Sequence, residues 1–143
     1  MNTFYKDLST GAKIEAIVLE ELQKEYPSAT LIDGKHSAYD IWIPEIHKSV
    51  EVKYDSLSSQ TGRFVIEIMM FKRYSGLLVS KADYWCIHDG FRGYWIKRED
   101  LLKVIIISNQ NWIEKKFLGD TVSKKVYFLE KKNFMHLFKE NLY

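Results

Sequence analysis

Residues 37 to 55 read Ser37-Ala38-Tyr39-Asp40-Ile41-Trp42-Ile43-Pro44-Glu45-Ile46-His47-Lys48-Ser49-Val50-Glu51-Val52-Lys53-Tyr54-Asp55. Ala38 to Ile43 and Ser49 to Tyr54 alternate with period two and are rich in β-branched and aromatic residues, which predicts two strands. Pro44 to His47 supplies a short connection. A four-residue loop sets Ile43 opposite Lys48, and counting back sets Asp40 opposite Glu51. Opposed residues of an antiparallel pair have Cβ atoms roughly 5 Å apart. Two carboxylates at that spacing repel unless a cation lies between them. Lys53, two residues past Glu51, points to the same face.

Upstream, the chain predicts a helix that Pro27 ends, because the residue before proline avoids helical dihedrals. Leu8, Ala12, Glu15, Leu19, Leu22 and Tyr26 form one face at spacings of three and four, widened by Ile14, Ile17 and Val18. Glu15 falls inside this apolar stripe. Two readings stand: a boundary residue whose carboxylate reaches water, or an acid aimed at a metal or at Lys53. Ala29 to Asp33 predicts a strand and Asp33-Gly34-Lys35 a turn.

Downstream, Ser56 to Thr61 predicts a loop and Arg63 to Met70 a strand interrupted by Glu67. Phe71 to Gly76 predicts a basic connection, and Leu77 to Val79 a short extended segment. Asp83 to His88 and Tyr94 to Lys97 predict a strand pair around the Asp89-Gly90 turn. Arg98 to Ile107 predicts a helix with Glu99 and Asp100 in its first turn, although its β-branched end also suits a strand. Val122 to Leu129 predicts a strand and Lys131 to Leu142 a terminal helix. The expectation is one mixed α/β (α+β) domain spanning residues 1–143, a central mixed sheet flanked by helices.

Composition bounds the function. The chain has 143 residues and a net charge of only +2, so any basic surface must be local. Its single cysteine, Cys86, excludes an intramolecular disulfide and reads as a buried apolar side chain. No signal-peptide core or membrane-length apolar run is present, so a cytoplasmic protein without membrane contact is expected. There is no phosphate loop, dinucleotide fingerprint or nucleophile elbow. The four histidines lack metal-ligand spacing and read as surface or structural residues.

What remains is the set Asp40, Glu51 and Lys53. Carboxylates suit a hard cation such as Mg²⁺, with the Val52 carbonyl as a further oxygen. A lysine beside them can orient water or stabilise charge on a phosphoryl group. The bland alternative is an acid–lysine pair on an exposed sheet face.

Asp40 followed by Glu51-Val52-Lys53 resembles the motif of the PD-(D/E)XK, or restriction-endonuclease-like, nuclease superfamily. The likeness covers about Lys13 to Lys53 and extends loosely to Trp85. The segments Glu51 to Asp55, Thr61 to Ile68 and Ser75 to Trp85 also resemble small phage-encoded members, and the small size without an added specificity domain resembles the Holliday-junction resolvases, which are usually dimers. Tyr39 stands where the motif has proline. The C-terminal third matches nothing in the pattern.

The resemblance implies a helix, three strands, a helix and a further strand. It implies a Mg²⁺-dependent DNA endonuclease, with Mn²⁺ as a substitute, acting on branched DNA as a homodimer. By the same resemblance Glu15, Asp40 and Glu51 are metal ligands and Lys53 the catalytic lysine. Gln60, Arg63, Lys72, Arg73 and Lys81 are candidate DNA contacts. The lysine pairs 115–116, 124–125 and 131–132 read first as a solvated face, with DNA contact as the alternative. Two other functions stay open: a non-catalytic nucleic-acid-binding module and an RNA-directed nuclease.

Overall fold

The computed structural model describes residues 10–32 and 38–143. The expected Asp33-Gly34-Lys35 turn, His36 and the first residues of the predicted helix lie outside them. Ile14, Val18 and Leu22 form the buried stripe of α1 (Thr10–Gln23). This stripe is rotated from the expected face, and Glu15 sits at its margin rather than at its centre. After α1 the chain turns at Pro27, and the Gln23 side chain donates to the Ala29 carbonyl across that turn (3.0 Å).

The first sheet has the order β1 (Thr30–Leu31), β2 (Ile41–Ile43), β3 (Lys48–Tyr54), β6 (Tyr84–His88), β7 (Gly93–Lys97). β3 and β6 run parallel, and the other pairs are antiparallel. The second sheet is antiparallel, in the order β5 (Arg73–Tyr74), β4 (Arg63–Met70), β9 (Lys124–Glu130), β8 (Ile113–Lys115). The protein is a mixed α+β structure, as its patterning implied.

Alternation assigns the layers. On β3, Val50 and Val52 join Ile41, Ile43, Cys86 and Trp95 in a core against Ile14, Val18 and Leu22 of α1. Trp85, Ile87 and Ile96, from the other face of the same sheet, pack on Phe64, Ile66, Ile68 and Leu129 of the second sheet, with Leu101 and Ile105 of α3 (Arg98–Ile107). The first sheet is therefore the middle layer. Full burial of each such side chain contributes about 1.5–3 kcal/mol.

The connection from β3 to its parallel neighbour β6 is made by α2 (Ser58–Thr61) and the β4–β5 hairpin. Here the described residues depart from the implied core, in which a helix makes this crossover. Leu77 to Val79, expected to be extended, lies in a 3₁₀ turn at Gly76–Leu78 that seats Leu77 in the core. Gly76 has φ +54°, and a Cβ there would stand 2.5 Å from the Glu67 carbonyl oxygen, so only glycine allows this approach.

The expected terminal helix is also corrected. After α4 (Lys131–Phe134) and a 3₁₀ turn at Met135–Leu137, the chain becomes extended. Phe138 enters the core, and Lys139 exchanges two backbone hydrogen bonds with Trp95 (2.8 Å each). Pairing with an open strand edge outweighs the local helical pattern.

Candidate metal and phosphoryl-transfer site

The β2–β3 turn builds the site. Pro44–Ile46 is a 3₁₀ turn closed by His47 in the left-handed region (φ 50°). The pairs Ile43↔Lys48, Trp42↔Ser49 and Ile41↔Val50 follow. This is the register that the four-residue loop predicts. The ladder then breaks at Asp40. Its N–H donates to the Val50 carbonyl (2.9 Å), while its carboxylate accepts the Val52 N–H (2.8 Å). The side chain thus replaces the strand's own acceptor. It does not simply stand across from Glu51. Because N–H and C=O of one extended residue point to the same strand edge, the Val52 carbonyl is directed to this side as well.

Glu51 and Lys53 alternate with the buried Val50 and Val52 and so face away from α1. The Asp40 carboxylate lies within hydrogen-bonding reach of both Glu15 and Glu51. Glu15 reaches it from the α1 side of the sheet, so the three acids meet around the broken end of β2. Burial is the largest cause that raises Glu51 to about 8, and the Asp40 carboxyl adds to it. Burial and then Asp40 likewise raise Glu15 to about 7. Lys53 pulls both downward, with its Nζ 4.0 Å from Glu51 Oε2 and 5.4 Å from the Trp85 ring centre. The cluster is short of positive charge. Its all-oxygen donor set suits a hard divalent cation. Among the described residues, however, no three His, Cys, Asp or Glu side chains already stand as a metal-binding group.

Lys53 opens onto a cleft of about 410 Å³ between the two sheets, with Trp85 and Ile87 on one side and Val65, Glu67, Val126 and Phe128 on the other. Arg63 and Thr61 line this cleft, whereas Gln60, Lys72, Arg73 and Lys81 are not among its lining residues. Lys72 lies in the β4–β5 turn and Arg73 on β5, and Lys81 borders a separate hollow with Lys48, Asp83 and Arg98. The candidate DNA contacts therefore do not all line one cleft. Glu67 does not join the acids around Asp40 and pairs with Lys124 (3.3 Å). Sequence patterning missed Phe117 and Phe128 as cleft residues and left Lys115 only as an alternative DNA contact, because their convergence depends on β9 pairing with β4.

His88 is buried and its Nδ1 accepts the Gly90 N–H (3.0 Å). His47 packs edgewise on Trp42. Both are structural, as expected, and Cys86 is buried with its thiol pushed far up by desolvation. No described helix is long and apolar enough to cross a membrane. Compared with models of known protein families, with curated proteins and with solved structures, the chain matches none.

Proposed function

We propose that the chain is a divalent-metal-dependent phosphodiesterase that cleaves DNA. The observation that carries this reading is the convergence of Glu15, Asp40 and Glu51 beside Lys53 at the mouth of a cleft. Glu15, Asp40, Glu51 and the Val52 carbonyl would hold Mg²⁺ or Mn²⁺. When bound, such an ion polarises a phosphoryl oxygen and acidifies water. Lys53, about half exposed and anchored beside Glu51, orients a water or faces charge growing on the phosphate. The Asp40–Val52 hydrogen bond holds the central carboxylate in place, which limits reorganisation during the reaction.

Branched DNA and a homodimeric assembly belong to the same proposal, carried by the sequence resemblance alone. The test is incubation with Mg²⁺ and labelled duplex, flap, four-way junction, single-stranded DNA and RNA. Cleavage that depends on Lys53 and Asp40 is the expected result. No cleavage of any member would end the reading, and cleavage confined to RNA would move it to the RNA-directed alternative.

A second reading, a nucleic-acid-binding module without turnover, draws on one observation: among the described residues no three His, Cys, Asp or Glu side chains already stand as a metal-binding group. Calorimetric titration with Mn²⁺ separates the two. A module without turnover gives no heat that Asp40→Asn removes.

A further inference from the structure

We infer that the cleft beside Lys53 takes a single unpaired nucleotide of a single-stranded DNA segment. This inference deepens the phosphodiesterase reading, since it concerns what lies next to the bond that would be cut.

Three observations carry it. First, Lys115 on β8 and Lys124 on β9 are directly opposite each other, and both line the cleft. Like charges directly opposite in a strand pair are unfavourable. Lys124 is compensated by Glu67 (3.3 Å) and Asp120 (3.8 Å). Lys115 has no ion pair among the described residues and stands on an exposed strand. The pairing that sets two lysines face to face becomes favourable once an anion lies between or beside them. Counting charged side chains on the cleft wall, Lys53, Arg63, Lys115 and Lys124 face only Asp55 and Glu67. The wall is cationic although the whole chain is nearly neutral.

Second, the cleft carries a platform for a base. The Arg63 guanidinium lies over the Phe128 ring, 4.0 Å from its centre, and Phe117 lines the same cleft. Unpaired bases stack on aromatic rings and on guanidinium planes. Trp85 is 2% exposed, so it forms the floor and is not available for stacking.

Third, size decides the form of the ligand. About 410 Å³ lies at the small end of ligand cavities, which suits one nucleotide. Bases inside a duplex are stacked on each other, and reaching such a recess requires unpairing. A phosphate on Lys115, a base against Arg63 and Phe128, and the adjoining phosphodiester near Lys53 make one continuous path.

The test measures binding without cleavage. The full chain is titrated in EDTA against a single-stranded oligodeoxynucleotide carrying one 2-aminopurine, with affinity read by anisotropy and stacking by fluorescence. The matching duplex is the comparison. The single strand is expected to bind more tightly than the duplex and to change its 2-aminopurine emission. Lys115→Ala and Arg63→Lys should each weaken that binding roughly tenfold. Lys115→Ala should also lower the salt slope by about 0.7, the loss of one single-strand phosphate contact. Lys103→Ala, exposed on α3, is the control and should bind as the parent does. Equal affinity for duplex, or parental binding by both Lys115→Ala and Arg63→Lys, overturns the inference. If the chain binds as expected yet does not cut in Mg²⁺, the cleft stands and the phosphodiesterase reading falls. If it cuts while both variants bind normally, the reverse holds.

Discussion

Without metal, the acid cluster should make the protein less stable as the pH rises from about 6.5 to 8. The folded-state pKa of Glu51 is about 8, against an ordinary value of 4.5, so across this interval the folded state keeps a proton that the unfolded state has already lost. The unfolded state binds fewer protons there, which makes the slope of stability against pH negative. Each pKa unit corresponds to about 1.4 kcal/mol, so Glu51 alone accounts for roughly 2 kcal/mol over the interval. Its side chain is 18% exposed, so little of this is lost to solvent screening. Glu15, raised to about 7, acts in the same direction but is less buried and adds less. His88 titrates the other way: burial lowers its pKa, so its cost appears below about 6.5, outside the interval. For a chain of this size the loss corresponds to a fall in Tm of roughly 7 °C.

The assay is thermal unfolding in EDTA at closely spaced pH values, repeated on Glu51→Gln. The variant keeps the shape and cannot ionise, so its curve should be clearly shallower over the interval, keeping only the smaller fall due to Glu15. A parent Tm that does not fall between pH 6.5 and 8, or a Glu51→Gln curve as steep as the parent's, would refute the electrostatic account of the site. Adding Mg²⁺ at pH 8 should restore the lost stability, since an ion that binds the ionised acids stabilises the fold by about 2.7 kcal/mol at a hundredfold excess over Kd.

Further outcomes follow from single residues. Lys53→Ala should lower Mg²⁺-dependent cleavage at least about a hundredfold. Its Tm should stay within a few degrees of the parent's, because an ion pair with an exposed lysine contributes at most about 1 kcal/mol. Gly76→Ala forces a side chain against the Glu67 carbonyl and should destabilise by roughly 2 kcal/mol or more, read by urea unfolding. Leu22→Ala empties a site that is 1% exposed between α1 and the first sheet and should lose about 2–5 kcal/mol in the same assay.

The parts legible in the chain were those set by local chemistry. Pro44 begins the turn, His47 closes it, and the period-two pattern on either side then leaves one register that buries Ile41, Ile43, Val50 and Val52 together. The candidate acids follow from that register. What local pattern could not supply was the rotation of α1. Glu15 and Ile14 are neighbours, and only packing against Val50 and Val52 selects Ile14 for the core. The second sheet was also hidden, because β4 and β9 are some sixty residues apart in the chain and neither encodes its partner. The cleft depends on that pairing, which is why Arg63 was identified while Phe128 was not and Lys115 stood only as an alternative. Lys72, Arg73 and Lys81 show the same limit: they follow the motif closely in sequence, yet none of them lines the cleft.

The Trp95–Lys139 bridge has a consequence for solubility. β7 is the last strand of its sheet, and an uncovered border of N–H and C=O groups is a template on which another chain can add. The two hydrogen bonds from Lys139 occupy that template at its centre, and a lysine on the border discourages a second copy from docking. A chain cut before Phe138 would leave Gly93–Lys97 bare next to the exposed Phe91. Such a fragment should self-associate, so the last few residues act as a guard against aggregation.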